Sequence, residues 1–306
     1  YGVYFMVTLA QQLAGSIPAT RVLVYTCGPI GKDASFSGAA HGGVWGLGRV
    51  VRLEHASLET QTNSLSIGTP TALPALMTPS AEGEVAWNGK ERCVARLRVC
   101  HSASRYRAIL ASGLYAITGG LGGLGLSAAS LLVKSGASGA LLASRSGRIA
   151  RDGQGLAAQL KSMRDSVTVV ACDGADFEDT IALIFANPLT GVFHSAGASD
   201  KGLLIEVAKQ SLHWMYAPKA NGIWHLHAAS ATAPREARVL WSSIGSGLGN
   251  TGQASYAAGN ACLDAHASIL REHGIATCSL QWPLVGGAGM GAAGLAARRG
   301  KRVAMA

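Results

Sequence analysis

Four residue types stand at spacings suited to carbonyl reduction in this 306-residue chain: Lys219, Ser243, Tyr256 and Asn260. Ser243 ends the apolar run Val239-Leu-Trp-Ser-Ser243, and Tyr256 follows thirteen residues later, after the glycine-bearing loop 245–252. Asn260 lies four residues beyond Tyr256, which puts both on one face of the helix that this stretch predicts. Lys219 lies in an earlier helical pattern, Pro218-Lys-Ala-Asn-Gly-Ile-Trp-His-Leu-His227. A phenol, with a reference pKa of about 10, can give a proton to a carbonyl oxygen as hydride arrives on the carbon, and a neighbouring ammonium makes it more acidic. A serine hydroxyl can hydrogen-bond that oxygen as negative charge develops, and an asparagine can orient the lysine or a water that resupplies the proton. Taken singly, each is also an ordinary packed tyrosine, capping serine or solvated lysine. The set becomes informative through its combination with the loop described next.

Such a reaction takes its hydride from a cofactor, and residues 115–125 read as a dinucleotide cradle. Between an apolar run and an alanine- and leucine-rich helical pattern stand Thr118, Gly119, Gly120, Leu121, Gly122, Gly123, Leu124 and Gly125. Gly119, Gly123 and Gly125 satisfy one spacing of the phosphate-binding turn, and Gly119, Gly122 and Gly125 satisfy another. Glycines permit the tight turn, let backbone N–H groups approach a pyrophosphate and let the following helix aim its positive end at that charge. A flexible glycine-rich linker is the alternative reading of the loop alone. Arg145, between Ser144 and Ser146, follows the next apolar run, where an acidic residue would bind the ribose hydroxyl of NAD. An arginine there favours the 2′-phosphate of NADPH, unless it is simply a surface arginine.

From residue 113 onward, short apolar runs alternate with helical patterns, which predicts a doubly wound α/β fold, Rossmann-like, with a parallel sheet covered on both faces. Strands are expected at 114–118, 140–144, 167–171, 191–194, 238–242 and 276–281. Ligands in such sheets sit beyond the carboxyl ends of the strands. The earlier residues predict a strand at 21–25, a helix near 39–54, a strand at 64–67 and a hairpin, with Asn88-Gly89 as a type I′ turn between 84–87 and 92–96. This part has no phosphate loop and no acid–base set. The expected division is therefore a structural subdomain at 1–105, joined through 101–111 to a catalytic, nucleotide-binding subdomain at 106–306.

Composition narrows the function classes. A 48% hydrophobic content supports a large core, and 26 basic against 17 acidic residues give a formal charge of +9. That charge favours an acidic partner or an anionic ligand, or it is spread over a solvated surface. Aromatics make up only 6% and basic residues form no helix face, so nucleic acid is not an expected partner. The six cysteines show no metal-binding or paired spacing, which points to free thiols in a reducing, cytoplasmic setting. His225 and His227 fall on different helix faces, and no metal is expected. Residues 108–133 carry no charge and are long enough to span a bilayer, but their glycines cluster in one loop, so no membrane span is expected. The first residue is not Met and no basic leader follows, which reads as a fragment boundary.

On these segments the chain resembles the short-chain dehydrogenase/reductase superfamily, and more closely the ketoreductase domains of polyketide synthases and animal-type fatty acid synthases. Further segments carry the resemblance: Gly43-Val-Trp-Gly-Leu-Gly-Arg49 with Glu54-His55, Cys172-Asp173, His194-Ser195-Ala196-Gly197, Gly252-Gln253, Leu263-Asp264 and Gly289-Met290. Ordinary members place a lysine four residues after the tyrosine. The synthase branch exchanges the lysine and asparagine positions, as Asn260 and Lys219 do here. The resemblance implies a first lobe that is a degenerate Rossmann-like half, an adenine contact at Asp173, and NADPH-dependent reduction of a β-ketoacyl thioester delivered by an acyl carrier protein. It also implies other synthase domains as partners. The family's two stereochemical marker positions hold Lys201 and Leu248, which leaves product handedness open. Cys172-Asp173-Gly174 and Trp282-Pro-Leu-Val285 depart from the family pattern, and the chain ends 16 residues after Met290, short of the family's full lid and last strand. A silent, structural ketoreductase-like domain is the alternative reading. A nucleotide-sugar epimerase or dehydratase shares the glycine loop, but would keep lysine where Asn260 stands.

Overall fold

The computed structural model describes residues 2–15, 21–28, 36–66, 80–89, 91–99, 112–150, 154–199, 202–230 and 236–292. Cys100, Lys201, the joint 101–111 and residues 293–306 lie outside them. The chain forms two compact units. One comprises Tyr1–Ala108, Asp200–Tyr216 and Ser242–Ile275, and the other Ile109–Ser199, Ala217–Trp241 and Ala276–Ala306. Each is therefore assembled from separate stretches of chain. No helix among the described residues is long and apolar enough to cross a membrane.

The first unit opens with α1 (Gly2–Leu13), β1 (Leu23–Cys27), the single turn α2 (Phe36–Ala39) and α3 (Gly42–Glu54). A 3₁₀ turn at Ala56–Leu58 leads to β2 (Gln61–Leu65), β3 (Glu84–Asn88) and β4 (Glu91–Cys93). These strands make a four-stranded sheet in the order β1-β2-β3-β4, parallel except for the last pair. Asn88 pairs with Glu91, so Asn88 is the last residue of its strand and Gly89, at φ 62°, begins the turn. The hairpin is thus displaced by one residue from the expected Asn88-Gly89 turn, and β4 stops at Cys93 rather than reaching residue 96.

Helix α1, which the sequence pattern did not reveal, buries Val3, Met6, Val7 and Ala10 at helical spacing. They join Val44, Leu47, Val50 and Val51 of α3 and Ala254, Ala257 and Ala258 of α9 (Ala254–Glu272) in one core. Helices α3 and α9 pack backbone against backbone. A Cβ on Gly46 would lie 2.3 Å from the Ala257 carbonyl oxygen, and one on Gly42 would lie 2.5 Å from the Ala265 Cβ. Glycines four apart on α3 thus face Ala257, Ala261 and Ala265, themselves four apart on α9, the helix that also carries Tyr256 and Asn260.

The second sheet contains β5 (Leu114–Thr118), β6 (Gly139–Ser144), β7 (Val167–Ala171), β8 (Leu189–His194), β9 (Ala237–Ser243) and β10 (Thr277–Trp282). Its order is β10-β9-β8-β5-β6-β7, with β5 pairing in parallel with both β6 and β8. This is the doubly wound order, and the chain reverses direction across the sheet between β5 and β8, where such folds hold their ligands. The intervening helices are α4 (Gly123–Lys134), α5 (Leu156–Ser162), α6 (Phe177–Phe185), α7 (Lys209–Ala229) and the short α8 (Ile244–Leu248).

The central strands β5 and β6 are buried on both faces, successive side chains alternating between them, while the edge strands β7 and β10 are more open to solvent. Tyr115, Ile117, Ala140 and Leu142 pack with Leu126, Ala129 and Leu132 of α4. Ala116, Leu141 and Ala143 point the other way, to Leu183 and Ile184 of α6 and to Leu226 and Ala229 of α7. The described part of the uncharged stretch considered as a membrane span, residues 112–133, is a strand, a turn and a helix within this unit.

Candidate active site

The glycine loop joins β5 to α4, and most of its glycines are required by the protein's own packing. Gly119 has φ +67°, and a Cβ there would lie 2.7 Å from the Ala196 nitrogen. A Cβ on Gly120 would meet the Ile117 oxygen at 2.7 Å, and one on Gly125 the Gly119 oxygen at 2.6 Å. Gly123 is approached by the segment after β10, with the Ala288 backbone 2.7 Å from the position of its Cβ. That segment is pinned in turn by Gln154, whose Oε1 accepts from Gly289 N at 2.8 Å. Gly122 differs: it has φ −83° and ψ 165°, and its Cβ would meet only the Gly119 oxygen, at 3.3 Å. Thr118 and Leu121 are buried, and Leu124 packs against the α4 side of the sheet.

These residues fit a dinucleotide. Gly122 is the N-cap of α4 and has no side-chain cap, which leaves the first-turn N–H groups of Gly123, Leu124 and Gly125 directed out of the helix end. Ser144, at the carboxyl end of β6, carries a buried hydroxyl oxygen with no hydrogen-bond partner among the described residues. Arg145 and Ser146 are exposed in the turn that follows, which Gly147 closes at φ 61° through its N–H to the Ser144 carbonyl at 3.2 Å.

At the end of β7, Cys172 is buried. Desolvation first, and then the nearby Asp179, Asp173 and Asp176 carboxylates, push its thiol up to about 11. Asp173 Oδ1 accepts from Ala175 N at 3.0 Å, while its own N–H donates to Asp179 at 2.8 Å, so the acidic side chain is set within a tight turn.

The segment after β8 lies against the glycine loop. The Ser195 hydroxyl donates to the Thr118 carbonyl at 2.6 Å, and Thr118 Oγ1 lies 2.7 Å from His194 Nδ1. His194 is fully buried, and Gly222 of α7 makes room for its ring: a Cβ there would come within 2.9 Å of it. Gly197 does the same for Lys219, whose Cε lies 2.8 Å from the position its Cβ would take. Lys219 is only 3% exposed and donates to the Trp241 carbonyl at 2.8 Å. The second unit thus brings together the loop, residues 194–197 and Lys219.

The first unit brings together Ser243, Tyr256 and Asn260. Ser243 caps the short α8, its Oγ accepting from Gly245 N at 3.2 Å. Burial raises the pKa of the Tyr256 phenol, and hydrogen bonds from the Ser243 and Asn260 side chains work against that rise. Asn260 is fully buried and donates from Nδ2 to the Tyr256 carbonyl at 2.8 Å, the i to i+4 relation foreseen from the spacing. Its Oδ1 is a buried acceptor with no partner among the described residues. Tyr256 also lines a cleft of about 130 Å³ with Gly202, Glu206, Val207, Met215 and Gly252.

Residues that sequence reasoning did not single out for chemistry hold this cluster. Ser242 Oγ donates to the Asn260 carbonyl at 3.2 Å, and Ser246 Oγ donates to Asp264 Oδ2 at 2.5 Å. Arg49 donates to the Ser246 carbonyl and forms a two-pronged pair with Glu84, at 2.6 and 2.7 Å. Arg49 and Asp264 stand in segments that carry the family resemblance, which was the available signal. Their partners are distant in sequence and left no local pattern.

The profile of the KR domain family matches residues 113–287. The chain is 39% identical over 192 residues to the spectinabilin polyketide synthase system protein NorB of Streptomyces orinoci, covering 60% of this chain and 9% of that protein. It is 33% identical over 274 residues to a 6-methylsalicylic acid synthase of Arthrobotrys oligospora, covering 83% of this chain and 16% of the synthase. It therefore spans a small part of these relatives. Among solved structures, an A1-type ketoreductase superimposes with a TM-score of 0.83 at 31% identity, covering 97% of this chain and 65% of that one. A-type ketoreductases from a modular polyketide synthase give 0.82 at 32% identity, covering 95% and 64%. With the doubly wound sheet, the glycine loop and the Ser243–Tyr256–Asn260 cluster already in place, these matches show that the chain belongs to the KR domain family, the ketoreductases of polyketide synthases within the short-chain dehydrogenase/reductases.

Proposed function

We propose that this chain reduces a β-ketoacyl thioester, carried by an acyl carrier protein, to the β-hydroxyacyl thioester with NADPH. The observation that carries the reading is the cluster of Ser243, Tyr256 and Asn260, in which burial keeps the phenol protonated in the neutral range. NADPH, when bound, supplies the hydride that goes to the β-carbon. The phenol of Tyr256 gives its proton to the carbonyl oxygen, so the C=O π bond is replaced by a C–H and an O–H bond, the C–O single bond stays, and a tyrosinate remains. Ser243 hydrogen-bonds the same oxygen as it gains charge. The Lys219 ammonium stabilises the tyrosinate, and Asn260 orients the group or water that returns the proton; both roles rest on the family resemblance.

By the family resemblance, Thr118 to Gly125 would hold the pyrophosphate, Ser144, Arg145 and Ser146 the 2′-phosphate and Asp173 with Cys172 the adenine side, and His194 to Gly197 would back the cofactor. The charge of +9 suits an acidic carrier protein, and several relatives are named as polyketide synthase proteins. Tyr256→Phe is expected to abolish reduction of a model β-ketothioester while leaving NADPH titration unchanged. Turnover like the wild type in that variant removes Tyr256 from the mechanism. A folded wild-type protein that fails to bind NADPH would assign the chain to the silent, structural class instead.

A further inference from the structure

We propose that helix α3 of the N-terminal lobe sets the geometry of the Ser243–Tyr256 pair, with Glu54 as the positioning residue; this rests on the reductase reading above. Helix α3 grips the connection between the two residues at both ends. Near its start, Arg49 donates to the Ser246 carbonyl, three residues after Ser243. Near its end, Glu54 Oε1 accepts from Gly252 N at 2.7 Å, four residues before Tyr256.

The second oxygen of Glu54 accepts from Leu204 N at 2.6 Å. Leu204 opens the 3₁₀ turn Leu204–Glu206, and Gly202 N donates to the Gly252 carbonyl at 3.2 Å. Gly202, Glu206, Gly252 and Tyr256 all line the same cleft. One carboxylate therefore ties together both walls of the cleft that Tyr256 faces, through two charge-assisted hydrogen bonds to backbone. Gln11 of α1 supports one wall only, donating to the Leu204 and Val207 carbonyls at 2.9 and 3.0 Å.

Substituting Glu54→Gln keeps the size of the side chain but turns an NH₂ group toward one of two N–H donors, so one tie is lost. Hydrogen–deuterium exchange on the full chain is expected to speed up in residues 202–207 and 249–256, and not in 114–144. In steady-state reduction of a β-ketothioester, kcat/KM should fall about 10- to 100-fold, as misplacement of reacting groups does, with the NADPH dissociation constant unchanged. The alkaline limb of kcat should move to higher pH, because a displaced Ser243 no longer lowers the pKa of Tyr256. A merely structural role would lower thermal stability without moving that limb.

Unchanged exchange in both segments, or faster exchange with wild-type kcat/KM and pH limb, overturns the proposal. If the wild-type protein does not reduce the thioester, the reductase reading fails, while the exchange measurement still judges the tie. Arg49→Gln tests the other end should Glu54→Gln not fold, since Glu84 keeps Arg52 at 2.5 Å and is not left unpaired. Faster exchange in 244–248 and the same shift of the limb are expected there, and their absence counts against the proposal.

Discussion

Two glycines three residues apart in the same loop should respond to alanine in opposite ways. At Gly125 the added methyl would stand 2.6 Å from the Gly119 oxygen and 2.8 Å from both Cα and O of Gly120. All three are backbone atoms that cannot swing aside, so the cost is that of overpacking, about 1–3 kcal/mol. The roughly 1 kcal/mol that alanine ordinarily gains over glycine within a helix offsets part of it. At about 2–4 °C per kcal/mol for a folding unit of this size, Gly125→Ala should lower the melting temperature by several degrees.

At Gly122 the backbone is already extended, with φ −83°, and the methyl would meet one atom, at 3.3 Å. Replacing an N-cap glycine costs roughly what the stiffer unfolded chain returns, a few tenths to 1 kcal/mol each way. Gly122→Ala should therefore melt within about 2 °C of the wild type. Its methyl occupies the open side of the loop, where the first-turn N–H groups would meet a phosphate. Loss of one hydrogen bond to a charged group is worth about 1.5–3 kcal/mol, or roughly 10- to 150-fold in affinity. Thermal unfolding and NADPH fluorescence titration on both variants separate the effects. Wild-type NADPH affinity in Gly122→Ala would refute the placement of the cofactor, and a wild-type melting temperature in Gly125→Ala would refute the packing argument.

Other expectations follow from the same geometry. Because burial raises the Tyr256 pKa, the phenol stays protonated at neutral pH and kcat should decline only above the ordinary tyrosine value of about 10; Ser243→Ala should carry that decline higher still, and a limb that moves down instead contradicts the hydrogen-bond assignment. The thiols of Cys172 and Cys262 are both raised to about 11, chiefly by burial. Their protonated forms favour the folded chain, so stability is full below the ordinary thiol pKa of about 8.5 and falls as pH rises toward 11, by about 1.4 kcal/mol per pH unit for each thiol; denaturant titrations at pH 8 and pH 10.5 on wild type, Cys172→Ala and Cys262→Ala check the slope. A thiol reagent at pH 8 should modify the exposed Cys27 and Cys93 quickly and leave Cys172 and Cys262 until unfolding. Gly46→Ala should destabilise the first unit by about 1–3 kcal/mol, since the methyl would press on the Ala257 carbonyl and the Ala261 Cβ; stability equal to the wild type in urea melts would contradict the close helix packing.

The parts of this molecule that announce themselves in sequence are those whose environment is uniform along the chain. Strand β5 is buried on both faces and so reads as an unbroken apolar run, expected at 114–118 and found at Leu114–Thr118. Strand β2 is as thoroughly buried but is built from Gln61, Thr62, Asn63 and Ser64, at most 5% exposed. It was expected only from residue 64 onward, because its polar side chains look solvated until their partners are known: Arg21 donates to Gln61 at 2.8 Å, and Arg52 to Thr62 at 3.3 Å.

The same distinction runs through the site. Tyr256 and Asn260 are linked by helix periodicity alone, so their relation was visible. The ties from Glu54 to Leu204 and Gly252 cross 150 and 198 residues, and nothing local in Glu54-His55 signals them. The glycine loop falls between these cases. Its composition marks it as a candidate cradle, but sequence could not assign each glycine its reason. Gly123 makes room for Ala288 and Gly289, far along the chain, and Gly119 for the segment after β8, so both belong to tertiary packing. A ligand-binding motif read from sequence therefore mixes residues that meet the ligand with residues that let the protein close around itself, and the space around each missing Cβ is what tells them apart.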